Sequence, residues 1–318
     1  MKQGVLDFDN ILLAKNRISD YIIESPIIIS KRFNKMFNAE IFFKMENQQI
    51  TNSFKIRGAL NAILSYRENC GKLPQKIVVQ SSGNHAQAMA YVAKKFNIEL
   101  VVYMADNVSI YKINKVKELG AKVIICKERS EANELAKNKQ KEGYFFIHPS
   151  DNDDVILGQA TCALEILKEI DNLEAIFVPC GGGGLVSGCY LATQEKSSQT
   201  KIYACEPSLA NDASISVKQN NIFSFVKSPD TIADGARTLA VSQRCFQYLK
   251  KIAAILEVNE KEIEFWRNEL QQEFNQQIEP TAALAMAGFA NLIKENSIHN
   301  TKKYCVIITG GNIVTENI

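Results

Sequence analysis

The chain has 318 residues, 46% of them hydrophobic and 23% charged, which is the composition of an ordinary globular protein. Its formal net charge is only +2 and no basic block stands out, so the sequence argues against a dedicated nucleic-acid or membrane surface. The N-terminus carries Asp7 and Asp9 among apolar residues, unlike a signal peptide, and no apolar stretch is as long as a membrane span.

Eight cysteines are scattered along the chain, and none forms a C-x-x-C pair. Several lie inside apolar runs, so we interpret the cysteines as reduced residues of a hydrophobic core. Reduced cysteines, together with the lack of a targeting segment, predict a cytoplasmic protein.

In chain order, short apolar runs alternate with amphipathic segments of helix length, and continuous apolar runs suit parallel strands covered on both faces. The predicted strands are Lys76–Gln80, Glu99–Met104, Lys122–Cys126, Tyr144–Ile147, Ala175–Cys180, Lys201–Glu206 and Tyr304–Thr309. The predicted helices include His85–Phe96, Tyr111–Leu119, Ser130–Lys141 and Val155–Ile170. This alternation predicts an α/β fold with right-handed crossovers.

Four of the predicted strands, with three helices between them, fall within residues 75–148. We expect this piece to form a small mobile domain. Residues 1–74 and 149–318 would then form a larger, cofactor-binding domain from two sequence segments. Composition does not mark these boundaries, so the strand count alone places them.

A lysine follows a polar turn and opens an apolar helix in the stretch Thr51–Ala59. Asn52 or Ser53 is the expected N-cap, which places Lys55 in the first helical turn. The positive end of the helix dipole disfavours an ammonium there, lowers its pKa and favours the free amine needed for covalent catalysis. The alternative is an ordinary solvated lysine.

Three polar or glycine-rich stretches each follow a predicted strand, at the strand ends where ligands bind in open α/β sheets. They are Ser81–His85, Gly181–Gly184 and Thr309–Asn312. Four glycines before a helix leave backbone N–H groups free to bind one phosphate, although a merely flexible turn remains the alternative. Ordinary turn chemistry is likewise the alternative for Ser81–His85. One amine and three such strand ends together predict a site for a phosphorylated carbonyl cofactor.

Two carboxylates, Glu206 and Asp212, follow another predicted strand within one loop. Carboxylates and intervening carbonyls suit a hard divalent cation. A solvated acidic loop is the alternative.

Taken together, these motifs resemble the pyridoxal-phosphate enzymes of fold type II, and more closely the threonine/serine dehydratase and serine racemase branch. The resemblance extends from about residue 25 to 312. The stretches that carry it, besides those around Lys55, Gly83, Gly182 and Thr309, are Glu206–Asp212, Thr231–Thr238 and Ile278–Ala282. It implies a tryptophan synthase β-like fold with two open, twisted, mostly parallel sheets flanked by helices.

The resemblance also implies a role for each site residue. Lys55 binds pyridoxal 5'-phosphate covalently and then removes the substrate α-proton, and Ser82 on the opposite face is the second acid/base if racemisation occurs. The other implied cofactor contacts are Phe54, Asn84 at the ring oxygen, Gly181, Gly182, Gly183 and Gly184 at the phosphate, Leu185, Glu279, and Thr309 at the ring nitrogen. Substrate binding is expected from Ser81, Ser82, Gly83, Asn84 and His85. Mg²⁺, Mn²⁺ or Ca²⁺ is expected at Glu206, the carbonyl of Ala210, and Asp212.

A neutral Thr309 leaves the ring nitrogen unprotonated, which favours β-elimination over transamination. The leading expectation is therefore an L-threonine/L-serine dehydratase that releases a 2-oxo acid and ammonia, as a homodimer or homotetramer. A serine racemase, a 3-hydroxyaspartate dehydratase and a catalytically silent cofactor-binding protein are the alternatives.

Three stretches depart from this branch. Ala160 stands in Gly158–Thr161 where relatives have glycine, Ala105–Lys115 lacks the usual prolines, and Asn133 aligns where the racemase has an arginine. The last two lie within 75–148 and bear on nucleotide activation and substrate choice. The chain ends soon after Asn312, so we expect no C-terminal regulatory domain and no feedback by isoleucine.

Overall fold

The computed structural model describes residues 6–106, 108–296 and 302–313. The strands are β1 (Ile27–Ile29), β2 (Glu40–Met45), β3 (Lys76–Gln80), β4 (Glu99–Ala105), β5 (Lys122–Cys126), β6 (Phe145–Phe146), β7 (Leu173–Pro179), β8 (Lys201–Pro207), β9 (Ala254–Val258) and β10 (Lys303–Ile308). The α-helices are α1 (Phe8–Ile18), α2 (Lys31–Phe37), α3 (Lys55–Cys70), α4 (Asn84–Phe96), α5 (Ile110–Glu118), α6 (Arg129–Lys141), α7 (Asp153–Glu169), α8 (Gly184–Lys196), α9 (Asp212–Gln219), α10 (Gln243–Leu249), α11 (Glu260–Phe274) and α12 (Pro280–Asn296).

Two sheets organise these elements. A six-stranded sheet has the order β1-β2-β10-β7-β8-β9, and a four-stranded sheet has the order β5-β4-β3-β6. Neighbouring strands are parallel throughout both sheets except for the antiparallel pair β1 and β2. The prediction of an α/β fold with two mostly parallel sheets flanked by helices is confirmed.

The alternating faces of β7 show how the larger sheet is buried. Ala175 and Phe177 face the core formed with α11 and α12, whereas Ile176 and Val178 face the core formed with α7 and α8. Both faces of the strand are covered, so the strand reads as one continuous apolar run. The sequence prediction lacks three strands, β1, β2 and β9. Strands β1 and β9 lie at the edges of this sheet and are mostly only partly buried, so their pattern is weaker.

The smaller sheet contains the four strands between residues 75 and 148, with α4, α5 and α6 between them. Helix α3, which precedes residue 75, shares a buried core with this sheet and with α4 through Ile56 and Leu60. The division into 75–148 and the two flanking segments, and the mobility of the smaller part, stay predictions.

Seven of the eight cysteines are buried and all eight are free, as expected for a reduced core. Cys70 is the exception, because it ends α3 and is exposed. The interpretation of the cysteines as core residues is therefore wrong at this one position.

A buried ion-pair network holds the first turns of α3. The fully buried Arg57 donates to both carboxylate oxygens of Glu46 at 2.7 and 2.8 Å and to those of Glu165 at 2.6 and 2.7 Å. Its fifth hydrogen bond goes to Thr161, and Lys44 pairs with Glu165 at 2.6 Å. The cations Arg57 and Lys44 thus balance the carboxylates of Glu46 and Glu165, and this balance offsets the cost of burying the charges. Arg57 lies two residues after Lys55 in the chain.

No helix among the described residues is long and apolar enough to cross a membrane.

Candidate active site

A cavity with a volume of about 720 Å³ lies where strands of both sheets end. It brings together every residue that the sequence predicts for cofactor or substrate binding. Those residues are Phe54, Lys55, Ser81, Ser82, Gly83, Asn84, His85, Gly181, Gly182, Gly183, Gly184, Leu185, Glu279 and Thr309. The predicted cation ligands Glu206, Ala210 and Asp212 are not part of its lining.

Lys55 is the first residue of α3, as the sequence predicts, but the expected N-cap is wrong. The N-cap position is Phe54, which makes no side-chain capping bond. Asn52 instead adopts a left-handed backbone conformation with φ 51°. Ser53 is fully buried, and its hydroxyl has no hydrogen-bond partner among the described residues. Contacts with the end of β10, rather than a cap, hold this turn.

Those contacts connect the Lys55 turn to the residues after β10. The backbone N–H of Phe54 donates to the carbonyl of Thr309 at 3.1 Å, and that of Gly311 donates to the carbonyl of Asn52 at 3.0 Å. An isolated β-bridge joins Ser53 to Gly310. The lysine and the hydroxyl of Thr309 are therefore fixed to one another through the backbone.

The amine of Lys55 faces the cavity with one weak polar contact. Its Nζ lies 3.4 Å from the carbonyl of Pro149 and 4.8 Å from the ring centroid of Phe54. Burial, aided by the positive charge of Arg129, lowers the pKa of Lys55 to about 8 against the opposing effects of Cys245 and Glu279. A substantial fraction of the amine is thus unprotonated near neutral pH, as a nucleophile requires.

The glycine loop lies between β7 and the N-terminus of α8. Ser150 packs on it so closely that a Cβ at Gly182 would lie 2.2 Å from its Oγ. The Ser150 hydroxyl lies 2.6 Å from the hydroxyl of Ser242, whose backbone N–H donates to the Gly182 carbonyl at 3.2 Å. Helix N-terminal N–H groups and close backbone approach form a cradle suited to a phosphate.

The Ser81–His85 turn leads from β3 into α4. Its backbone N–H groups lie at the N-terminus of a 13-residue helix, where a carboxylate is favoured. His85 is 2% exposed and its Nε2 lies 3.3 Å from the carbonyl of Ile147. Burial, together with the charge of Lys55, lowers the pKa of His85 to about 3. The ring is therefore neutral, and it serves as a structural contact rather than a base.

Glu206, Ala210 and Asp212 form a separate acidic site. The expectation that both carboxylates lie in one loop is wrong, because Glu206 belongs to the end of β8 and Asp212 begins α9. All three residues are buried, and Glu206 accepts hydrogen bonds from the backbone N–H groups of Ala213 and Ser214 at 3.2 and 2.7 Å. Burial raises the pKa of Asp212 to about 7, and burial together with the Asp212 charge raises that of Glu206 well above its usual value. No group of three or more His, Cys, Asp or Glu side chains suited to a metal occurs in the described part of the chain. A cation would therefore need the Ala210 carbonyl and water as further ligands, and two buried carboxylates fit it.

Arg129 lines the cavity, and the sequence reasoning missed it. It begins α6, and its Nη1 donates to the carbonyl of Arg237 across the cavity. Arg129 makes no ion pair among residues 6–106, 108–296 and 302–313. Burial lowers its pKa, and the negative charge of Asp212 opposes that effect. Arg129 lies three residues after the predicted strand Lys122–Cys126, and that position could have indicated a site residue.

Ser150, Ser242 and Asn312 also belong to the cavity or contact its glycine loop. Ser150 follows a predicted strand by three residues, so its position carried a signal. Ser242 follows no strand, and only long-range packing brings it to the glycine loop.

Comparison with protein families matches residues 18–310 to the family described as "Pyridoxal-phosphate dependent enzyme". The chain belongs to that family. The L-threo-3-hydroxyaspartate ammonia-lyase of Saccharomyces cerevisiae is 36% identical over 309 residues, which cover 96% of this chain and 93% of that protein. The serine racemase of Dictyostelium discoideum is 35% identical over 309 residues, covering 96% and 94%. Among solved structures, maize serine racemase has a TM-score of 0.92 at 30% identity, covering 98% of this chain and 95% of that one.

The predicted family is thus confirmed, and the chain is a pyridoxal-phosphate dependent enzyme of the ammonia-lyase and racemase group. Its site fits this cofactor. Lys55 supplies an amine of lowered pKa, and the glycine loop supplies an anion cradle. Thr309 is 1% exposed, and its hydroxyl has no hydrogen-bond partner among the described residues. This hydroxyl suits a ring nitrogen.

Proposed function

We propose that the protein is a pyridoxal-phosphate dependent ammonia-lyase that removes the hydroxyl of a β-hydroxy amino acid to give a 2-oxo acid and ammonia. The substrate that its site favours is L-threo-3-hydroxyaspartate, a dicarboxylic amino acid. The observation that carries this choice is Arg129, a guanidinium that lines the cavity without a carboxylate partner among the described residues. L-Threonine and L-serine, the substrates expected from the motifs, have no second carboxylate for it.

When bound, the cofactor withdraws electrons from the substrate α-carbon. The protein's own groups do the rest. Lys55 would hold the cofactor covalently, and its amine, when free, would take the substrate α-proton. Burial keeps that amine able to accept a proton near neutral pH. Gly181–Gly184 would hold the phosphate, Asn84 would contact the ring oxygen, and Thr309 would offer a neutral hydroxyl to the ring nitrogen.

The Ser81–His85 turn binds the substrate α-carboxylate through hydroxyl groups and the backbone N–H groups at the start of α4. Arg129 binds the side-chain carboxylate. Charge also favours a substrate with two carboxylates, because seven cationic side chains line the cavity against four acidic ones. The cationic residues are Lys55, Lys112, Lys127, Arg129, Lys227, Arg237 and Arg267, and the acidic residues are Asp106, Glu128, Asp234 and Glu279. The ammonia-lyase of Saccharomyces cerevisiae among the relatives supports the same substrate class.

The test is a substrate panel with purified enzyme, pyridoxal phosphate and Mg²⁺. L-threo-3-hydroxyaspartate, L-threonine, L-serine and D-serine are assayed separately for 2-oxo acid formation and serine chirality. Arg129→Met should lower kcat/KM for 3-hydroxyaspartate by roughly 10- to 150-fold, the value of hydrogen bonds to a charged group, and leave L-serine almost unchanged. L-Serine serves as the internal control, because any general damage from the substitution affects both substrates.

Equal losses on both substrates, with threonine or serine the better substrate in the wild type, would return the function to threonine/serine dehydratase. Lys55→Ala should abolish turnover of every substrate. Cofactor absorbance without turnover on all four compounds would support a silent cofactor-binding protein.

A serine racemase is the second candidate, because Ser82 lines the cavity with Lys55 and two proton-transferring groups are what racemisation needs. The serine racemase of Dictyostelium discoideum is among the relatives. D-Serine that accumulates ahead of pyruvate, and disappears in Ser82→Ala while elimination from L-serine persists, would establish it.

We also propose that Glu206, Asp212 and the carbonyl of Ala210 bind Mg²⁺ or a similar divalent cation. The support is a pair of buried carboxylates whose pKa values are raised. A cation would keep both carboxylates ionised. It would also link the loop before α9 to Thr238, whose hydroxyl lies 3.3 Å from Asp212.

A further inference from the structure

The side chain of Asn84 is the centre of a chain of three polar side chains. Its Nδ2 donates to Oε1 and Oε2 of Glu279 at 2.8 and 2.9 Å, and its Oδ1 accepts from Nδ2 of Asn312 at 2.9 Å. A flipped amide would place Oδ1 against the carboxylate and two NH₂ groups against each other. The amide therefore has one orientation that its neighbours allow.

Both ends of this hydrogen-bonded series, Asn312 and Glu279, are anchored to the backbone. Nδ2 of Asn312 also donates to the carbonyl of Thr51 at 3.0 Å, in the turn that leads to Lys55. Glu279 is 4% exposed, and its backbone N–H donates to the carbonyl of Gly310 at 3.1 Å. Its carboxylate rests on Gly310, where an added Cβ would lie 2.4 Å from Oε1. The start of α4, the start of α12 and the residues after β10 thus share one fixed arrangement.

The hydrogen bonds within the described part of the chain leave one donor of Asn84 free. Its NH₂ group has two hydrogens, and Nδ2 lies almost equally far from the two oxygens of Glu279. One N–H directed between those oxygens satisfies both contacts. The second is then available to the cavity, which Asn84 lines together with Lys55.

We propose that Glu279 and Asn312 are positioning residues that aim this second N–H of Asn84 at the cofactor's ring hydroxyl oxygen. The inference rests on the proposed roles of Lys55 and Asn84. A hydrogen bond donated to that oxygen favours its anionic form. The ring hydroxyl proton then resides on the nitrogen that links Lys55 to the cofactor, so the proton moves within one molecule and no further reactant is needed. A protonated linkage is the form that the substrate amine attacks most readily.

The test measures the absorbance of the reconstituted holoenzyme at fixed pH without substrate. The protonated linkage absorbs at longer wavelength than the neutral, hydroxyl-bearing form. Glu279→Leu should shift the ratio of the two bands by about tenfold toward the shorter wavelength, the effect of losing one hydrogen bond. Glu279→Gln should keep the wild-type ratio, because its amide oxygen still accepts from Asn84. Asn312→Ala should act like Glu279→Leu and provides a second readout if that variant does not fold.

Glu262→Leu is the matched control. Glu262 accepts a hydrogen bond from Asn291 at 3.1 Å, which is the same kind of pair, but neither residue lines the cavity. It should leave the spectrum unchanged. An unchanged spectrum in both Glu279→Leu and Asn312→Ala would overturn the inference. So would Glu279→Gln behaving like Glu279→Leu, because the negative charge rather than the orientation of Asn84 would then matter.

Borohydride reduction and peptide mapping separate this result from the proposed function. Cofactor trapped on Lys55 in the wild type and in the variants keeps the site assignment, so that the band ratio alone decides the role of Glu279. Cofactor trapped on another lysine in the wild type would overturn the site assignment and this inference with it.

Discussion

The lowered pKa of Lys55 makes a quantitative prediction about cofactor capture. Burial lowers the pKa of its amine from 10.5 to about 8. At pH 7 the unprotonated fraction is then about 9% instead of about 0.03%, a gain of about 300-fold in reactive amine. Because only the free amine attacks the cofactor aldehyde, the capture rate should rise about tenfold per pH unit up to about pH 8 and then level off.

The assay mixes cofactor-free protein with limiting pyridoxal phosphate at a series of pH values and follows the new absorbance band. Nα-Acetyl-lysine, whose ε-amine is free, is measured in parallel to correct for the ionisation of the cofactor itself. Arg129→Met should move the midpoint to higher pH, because the charge of Arg129 lowers the pKa of Lys55. A corrected rate that keeps rising through pH 9 and 10 would refute the reasoning, since it would mean that Lys55 titrates like a solvated lysine.

Two further predictions concern the glycine loop and the acidic loop. Gly182→Ala places a Cβ 2.2 Å from Oγ of Ser150, so cofactor retention in equilibrium dialysis should fall at least about tenfold, and Ser150→Gly in the same chain should restore much of it. If the double variant is no better than Gly182→Ala, this contact is not the cause. Mg²⁺ at about 100 times its Kd should stabilise the protein by about 2.7 kcal/mol in thermal denaturation, and Asp212→Asn should abolish the shift. The same shift in Asp212→Asn would place the cation elsewhere. Glu257→Gln is the control, because Glu257 is a nearby carboxylate that accepts hydrogen bonds from Asn211 and Ser214 but is not a proposed ligand.

The sequence could predict the sheets and the cavity because both depend on local order along the chain. Strands β3 and β5 occupy the predicted residues, since their apolar runs begin and end sharply. Each of the three polar or glycine-rich stretches followed such a run, and the carboxyl ends of parallel strands meet at one side of a sheet. The meeting of the glycine loop and Thr309 in one cavity follows from that rule, because β7 and β10 are parallel neighbours in one sheet.

The parts that local order does not determine were missed. Ser242 reaches the glycine loop only because α10 packs near α8. Asn312 belongs to the predicted stretch Thr309–Asn312, but its contact with Asn84 depends on the pairing of the residues after β10 with the Lys55 turn. The N-cap prediction failed for the same reason. The bridge between Ser53 and Gly310 holds a turn that, by its own residues, would be capped by a side chain.

Substrate choice is another property that the motifs left open. The motifs around Lys55 and the glycine loop concern the cofactor, and they point equally to a dehydratase or a racemase. Arg129, which we propose selects a dicarboxylic over a monocarboxylic substrate, lines the cavity but lies outside those motifs. A threonine or serine dehydratase was therefore the natural expectation from the sequence, and it stays a prediction that the substrate panel tests.

Hydrogen-bond satisfaction distinguishes the Arg57 network, which holds the fold, from the buried hydroxyl of Thr309 in the cavity. Arg57 makes five hydrogen bonds to Glu46, Glu165 and Thr161, and its network needs nothing more. The hydroxyl of Thr309, by contrast, has no partner among the described residues. Leaving such a group buried and unpaired costs about 1–3 kcal/mol, so a ligand that supplies the missing partner recovers that free energy on binding. Cofactor binding should thus stabilise the fold at Thr309 while it leaves the Arg57 network unchanged. Arg57→Met should accordingly lower stability to a similar extent with and without cofactor, because that network is complete in both states.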